Sequence, residues 1–432
     1  MARKKVIILG AGLSGLSVAF HLHRKKTDFL LFEKENKVGG LCRSKNVRGF
    51  TFDYAGHLLH FRHNYTARLV KSLLGGNLER HKRSAWIYSL KRYTPYPFQA
   101  NLFSLPKKVA EQCLLDFIRV HNNGLKSCKD NNFEAWLYHT FGRGIVKYFM
   151  VPYNRKFWTV PANKLTTDWI DGFIPVPSLG QIVEGTLGRS KELFGYNSYF
   201  WYPRKGGIGQ LPFVLSRNLK NIYTDCKIVS IDTEKKEIIM QSRAKEKFDC
   251  LISTLPLPEL GRVISSPHPK VKTALKRLRW NSIYNLNLGS ELNGQPSRHW
   301  VYFPEENVSF YRLGYFSNFS SSLAPAGKSA LYIEVAYSTD IPLDKSGIIE
   351  RIKGQLLKIN LIHKKDTRTC IEDVNDIEYG YPIYDNNYQD SRTLIMQYLR
   401  EKGILSCGRY GSWSYMSMDD VIMEGKEVAD RL

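Results

Sequence analysis

A chain of 432 residues with 63 Lys and Arg against 40 Asp and Glu carries a formal charge of +23. With 43% hydrophobic and 13% aromatic residues it can build more than one core, which excludes a disordered chain, a small disulfide scaffold and a coiled-coil rod. The basic surplus points to anionic partners (nucleic acid, an acidic membrane face or phosphorylated small molecules) or to nothing beyond a lysine-rich surface.

Seven scattered cysteines, Cys42, Cys113, Cys128, Cys226, Cys250, Cys370 and Cys407, form no CxxC. That pattern argues for a reducing compartment and against a disulfide framework or a zinc ribbon. Arg3-Lys4-Lys5 before the apolar run Val6 to Phe20 imitates a secretory signal. Gly10, Gly12 and Gly15 interrupt it, no small-residue cleavage site follows, and no stretch reaches the ~20 apolar residues of a membrane span. A cytoplasmic, non-spanning protein is expected.

In chain order, Val6-Ile7-Ile8-Leu9 reads as a buried parallel strand. Gly10-Ala11-Gly12-Leu13-Ser14-Gly15 follows, then a helix over Leu16 to Leu22, then a strand Phe29 to Phe32 ending in Glu33. Gly10 permits the tight turn, Gly12 lets backbone approach a pyrophosphate, and Gly15 lets helix and strand pack closely. Glu33 is placed to accept hydrogen bonds from ribose hydroxyls. Gly39-Gly40-Leu41 then brings a second glycine pair near the same phosphates. This pair resembles the FAD-binding proteins of the amine oxidase and glutathione reductase type, so FAD is expected rather than NAD. No second GxGxxG follows a strand, so no dedicated NAD(P)H domain is expected. Phe50 and Phe52 alternate on an expected strand before the Gly56-His57 turn. His57, His60 and His63 recur every third residue, but Arg62 among them opposes a metal site, and none is expected.

Further on, residues 65–80 read as a helix ending near Gly75-Gly76, a hairpin is expected at Trp86 to Tyr93, and mostly helix over 106–190. Ile228 to Ile231 with Ile238 to Met240 reads as a hairpin. Strands are expected at Phe248 to Thr254, Ile283 to Leu288, Ala330 to Val335 and Ile404 to Gly408, and a last helix from about Met418. The fold class is α/β: a Rossmann-like FAD-binding domain (1–80 with 195–265 and 385–432), a helical-bundle insert (100–194) and an antiparallel-sheet insert (81–99 with 266–384).

The later motifs resemble the UDP-galactopyranose mutase family, in its eukaryotic-type branch. They are Tyr96-Pro97-Phe98-Gln99-Ala100-Asn101, Pro152 to Pro161, Tyr302 to Asn307, Phe310-Tyr311-Arg312, Gly380-Tyr381-Pro382 and Gly408 to Trp413. The resemblance implies an isomerase that interconverts pyranose and furanose forms of a nucleotide sugar. Its flavin must be reduced, by NAD(P)H or another external reductant, and flavin N5 attacks the anomeric carbon. It implies His57 and Arg312 as catalytic, and Gly56, His57, Ile228, Gly408, Arg409 and Met418 beside the cofactor. It implies a nucleotide-sugar site of Arg83, Tyr96, Phe98, Gln99, Asn154, Trp158, Asn197, Tyr302, Arg312, Tyr381 and Tyr415.

Three positions depart from that family. Phe173 stands where a second diphosphate arginine is expected, Phe319 where a tyrosine is, and His60 where an aromatic ring is usual. Arg155, Lys156 or Arg204 is then expected to supply the missing cation, or the substrate differs. The alternative is a redox enzyme of the amine oxidase or protoporphyrinogen oxidase type. No nucleic-acid motif occurs. A peripheral contact with an anionic membrane is the further reading of the charge.

Overall fold

The computed structural model describes residues 4–122, 131–170, 172–189, 194–195, 198–290, 296–364 and 370–432. Val6–Leu9, a fully buried apolar strand, lies between Phe29–Phe32 and Cys250–Ser253 in a five-stranded sheet completed by Ile404–Ser406 and Ile222–Tyr223. Every pair in it is parallel. The helix Leu13–Arg24 returns over this sheet and meets the last helix, Met418–Asp430. Their contact is close because Gly425 faces Ser17: a Cβ there would sit 2.6 Å from the serine side chain. Ser17 Oγ also donates to the Ile422 carbonyl at 2.7 Å. The two ends of the chain are thereby fastened on one side of the sheet.

A second sheet, whose residues line one cleft with those of the first, has seven strands. Its middle strands, Trp280–Ser290, Ser329–Tyr337 and Arg312–Tyr315, pair antiparallel, and Ile371–Pro382 closes one edge. The hairpin Ala85–Ser89/Arg92–Pro95 forms the other edge. It joins the sheet through a parallel pairing with Trp300–Tyr302, so the expected antiparallel insert contains one parallel junction. Side chains alternate along Trp280–Ser290. Leu286 and Leu288 join a core with Ile333 and Val335, capped by the helix Ile348–Lys358. Asn285 and Asn287 face the other way and are equally buried. The sequence reading did not include that capping helix.

The helices Lys107–Asn122, Phe133–Ile145, Val151–Trp158 and Leu179–Thr186 form a separate layer. Phe98, Phe117, Phe133, Phe141, Phe149 and Trp158 lie in the core they belong to. No helix among the described residues is long and apolar enough to cross a membrane.

Candidate functional site

The turn after Val6–Leu9 opens at the carboxyl end of the parallel sheet, where such folds bind ligands. Gly10 has φ +93° and donates its N–H to the Phe32 carbonyl at 2.8 Å. A Cβ on Gly15 would overlap the Gly10 carbonyl oxygen, so only glycine lets the first turn of the helix pack this close to the strand's end. Gly39 and Gly40 both have positive φ, +114° and +55°. Gly39 bridges to Gly12, and a Cβ on Gly40 would lie 3.0 Å from the Gly12 Cα. The two glycine turns therefore pack backbone to backbone.

A cleft of about 1120 Å³ runs from these turns. Gly10, Gly12, Glu33, Gly39, Gly40, Leu41, Gly56, His57, Ile228, Arg409 and Met418 all line it. Gly15 and Gly408 lie behind its wall, and Gly408 (φ +83°) admits no Cβ against Ser14. The groove fits FAD on its own features. Glu33 is 7% exposed, and each of its oxygens holds one backbone N–H, Ala11 at 2.6 Å and Glu35 at 3.0 Å. One further lone pair per oxygen is left for ribose hydroxyls. At the other end Arg409 lies over Tyr381 and Tyr415, with ring centres 4.4 and 5.0 Å away, and its buried Nε has no hydrogen-bond partner.

The turn carrying His57 is fixed by side chains from the large sheet. Ala55 sits at φ +67°. Its N–H goes to Asn285 Oδ1 at 3.1 Å, and the next N–H, of Gly56, goes to Glu334 Oε1 at 3.1 Å. Asn287 Nδ2 holds the Asp53 carbonyl at 3.1 Å. Burial, with Arg409 nearby, pushes His57 down to about 4, so the imidazole is neutral at physiological pH. Asp53 beneath the turn accepts from Ser44, Tyr202 and the Ile208 N–H; burial still raises it to about 6.

Arg312, Tyr302, Tyr332, Tyr381 and Tyr415 line the far end of the cleft. Glu334, 0% exposed, grips Arg312 at two points, from Nε at 2.7 Å and Nη2 at 2.8 Å. Burial works against the guanidinium charge and Glu334 more than restores it. Burial also raises the phenols of Tyr302 and Tyr415, which stay protonated as donors. Phe173 lines the cleft too, edge-on to Tyr415 at 4.6 Å.

The cations expected to replace a second arginine are turned elsewhere, and this corrects the sequence reading. Lys156 donates to the carbonyls of Phe303, Glu305 and Phe310. Arg155 pairs with Glu306 and Arg204 with Glu79, both more than half exposed. None of the three lines the cleft. Arg62 lies 5.9 Å from the Phe173 ring centre but donates to Asp420 at 2.6 Å.

The nucleotide set divides. Tyr96 packs on Tyr302, with Arg83 over its ring at 4.8 Å, and Arg83 donates to the Phe194 carbonyl. Phe98 is 0% exposed and stacked on Phe149. Gln99 donates to the Pro175 carbonyl at 2.6 Å, and its buried Oε1 has no partner. Asn154 turns back to the Met150 carbonyl, and Trp158 packs among Phe157, Trp169 and Tyr381. These six do not line the cleft. Asn197 lies outside the described residues. Phe319 is core, against Tyr202 and Phe200. His63, Asp419 and Asp420 come together, but both acids are engaged by Arg62, His63, Thr66 and Ser417 donors around the start of the last helix.

Sequence reasoning missed Glu334, Asn285 and Tyr332. A signal for Glu334 was present: a lone acid inside the apolar run Ala330-Leu331-Tyr332-Ile333-Glu334-Val335 must be paired if that strand is buried.

The sequence profile of the flavin containing amine oxidoreductases matches residues 13–432. Among solved structures, reduced UDP-galactopyranose mutase superposes with a TM-score of 0.94 at 29% identity, over 100% of this chain and 94% of that one. Curated relatives match shorter stretches. An uncharacterized protein in the nifH2 3' region of Methanothermococcus thermolithotrophicus is 46% identical over 55 residues, 13% of this chain. Mitochondrial protoporphyrinogen oxidase of Nicotiana tabacum is 28% identical over 163 residues, 35% of this chain. The chain covers 53% and 32% of the lengths of these two proteins.

Proposed function

The chain belongs to the flavin containing amine oxidoreductase family, and on that premise we propose that it interconverts the pyranose and furanose forms of a nucleotide sugar, UDP-galactose or a close relative, with its FAD reduced. The observation that carries this reading is one cleft joining the dinucleotide turns to a wall of arginine and phenols. The 29% identical mutase structure, alike over the whole chain, supports it. Gly10, Gly12, Glu33, Gly39 and Gly40 would hold the adenosine diphosphate half of the cofactor. Gly56, His57, Arg409 and Met418 would flank the flavin ring. When bound and reduced, the flavin supplies an electron-rich N5 as a nucleophile.

The chain's own residues have three tasks. A departing diphosphate gathers negative charge, and Arg312 presents Nη1 to it while Glu334 holds Nε and Nη2. Tyr302 and Tyr415 keep their phenolic protons and can donate to phosphate or sugar oxygens. Arg409, half-buried and cationic against Tyr381 and Tyr415, favours an electron-rich ring beside it. Neutral His57 holds its place through the amides fixed by Asn285 and Glu334, so its role is positional rather than acid–base.

Incubation with UDP-galactofuranose tests the reading, with dithionite, with NAD(P)H and without reductant. Turnover is expected only with reduced flavin and without net consumption of reductant. Turnover by oxidised enzyme with release of hydrogen peroxide would overturn it. That outcome would favour a redox enzyme, for which the apolar Phe173 in the cleft wall is the one favouring observation.

A further inference from the structure

Glu334 sits in Ser329–Tyr337, opposite Arg312 on one neighbouring strand and Asn285 on the other. It has no solvent exposure, so its carboxylate depends wholly on protein donors. Oε2 takes Arg312 Nε at 2.7 Å; Oε1 takes Arg312 Nη2 at 2.8 Å and the Gly56 N–H at 3.1 Å. One oxygen is therefore shared between the cation that faces the far end of the cleft and the turn that carries His57. No other carboxylate among the described residues bonds to Arg312 or to that turn.

We propose that Glu334 is a positioning residue that tempers Arg312 and couples it to the Gly56–His57 turn. The pairing uses two of the guanidinium's donor nitrogens and balances its charge, leaving Nη1 to meet a diphosphate. An enzyme that must release and recapture UDP within one turnover gains nothing from a ground state held tightly. Without that counter-charge Arg312 would hold UDP too well. When an anion draws Arg312 outward, Oε1 is left to Gly56 alone, and the turn is held more firmly as substrate arrives. The effect on turnover rests on the mutase reading; the effect on UDP affinity does not.

The test uses flavin-loaded enzyme and two probes, UDP and inorganic pyrophosphate, titrated through the change in flavin absorbance. Glu334→Gln, which keeps the shape and removes the charge, is expected to bind both about tenfold more tightly, while kcat with UDP-galactofuranose falls by about tenfold or more. A merely structural role would weaken binding and turnover together, with a lower melting temperature; that result overturns the inference. Should Glu334→Gln fail to fold, Glu334→Asp carries the test. It keeps the charge at shorter reach, so UDP affinity is expected within about threefold of wild type, with kcat reduced because the bond to Gly56 is lost. Reduced affinity with unchanged kcat would overturn the inference. Wild-type enzyme that binds UDP but never turns over UDP-galactofuranose would defeat the mutase reading while the titrations still decide Glu334. Binding of neither probe would defeat both.

Discussion

The two ends of the cleft are built from different materials. At the dinucleotide end the wall is backbone: Gly10, Gly12, Gly39 and Gly40 meet main chain to main chain, within a few residues of one strand and one helix. At the far end it is side chains, Arg312, Tyr302, Tyr381, Arg409 and Tyr415, drawn from strands, a loop and a helical turn spread over more than a hundred residues of chain. Backbone sites need small residues at fixed short spacing and tolerate little. Side-chain sites are held by packing and ion pairs, and they change partners more readily. Phe173 illustrates the second kind: an apolar ring occupies a place where a cation was expected, and the surrounding wall closes on it through Tyr415.

The sharpest way to break this contrast is at glycine. Gly12 has φ −69°, and a Cβ there would meet only the Gly40 Cα, at 3.9 Å. Gly12→Val should therefore fold and yet retain less than about a tenth of the wild-type flavin, because the methyl groups occupy the phosphate path. Gly15→Ala should instead lose folded protein, since its Cβ overlaps the Gly10 carbonyl. Flavin-to-protein absorbance ratios and circular dichroism separate the two. Full flavin in Gly12→Val would place the pyrophosphate elsewhere.

Phe98→Ala comes next. If Phe98 is core, as its stacking on Phe149 indicates, the substitution should cost about 3–5 kcal/mol of stability and leave UDP affinity in the folded fraction unchanged. A large loss of UDP affinity with little loss of stability would return Phe98 to the substrate wall. Arg312→Ala should do the reverse. UDP affinity is expected to fall by about 2–5 kcal/mol, part of it repulsion of the diphosphate by Glu334 left without its cation. Unchanged UDP binding would mean that the diphosphate lies away from this end.

The same division explains what was legible in the sequence. Strand, glycine turn, helix, strand and Glu33 follow one another, so the dinucleotide end could be read directly, as could the hairpin Ala85–Ser89/Arg92–Pro95 and the last helix. Arg312 and the phenols were nominated only through a family resemblance, because no local spacing brings residues 302, 312, 381 and 415 together. Phe98, Asn154 and Trp158 belong to motifs that carry the resemblance, but a motif does not record which of its side chains turn inward, and none from these two motifs lines the cleft. Glu334 was missed because its strand reads as core, and only the register against Arg312 gives the acid its partner. Lys156 was misjudged for a related reason. A lysine beside an expected phosphate site attracts attention, yet its three bonds go to carbonyls in the loop between Tyr302 and Arg312.

The smallest effect concerns pH, and both ends contribute to it. Burial lowers His57, His60 and His299 to about 4. Between about pH 4 and the ordinary histidine value near 6.5, the unfolded chain then binds protons that the folded one does not, so stability rises with pH across that window. Each histidine adds at most about 1.4 kcal/mol per pH unit. Asp53 opposes them below its value of about 6, because there the folded chain holds a proton that the unfolded one releases. The net slope should thus stay near that of two protons between about pH 5 and 6, and fade above that as the unfolded histidines lose their own protons. His299 offers the clean test, since it lies outside the cleft lining and its Nδ1 accepts the Ser84 N–H. His299→Gln keeps an acceptor and cannot titrate. Urea unfolding at pH 5 and 6 should show its slope reduced by about one proton, roughly 1.4 kcal/mol per unit, with flavin content unchanged. An unaltered slope would mean that His299 is protonated in the fold and that acid sensitivity resides with His57 and His60 beside the cleft.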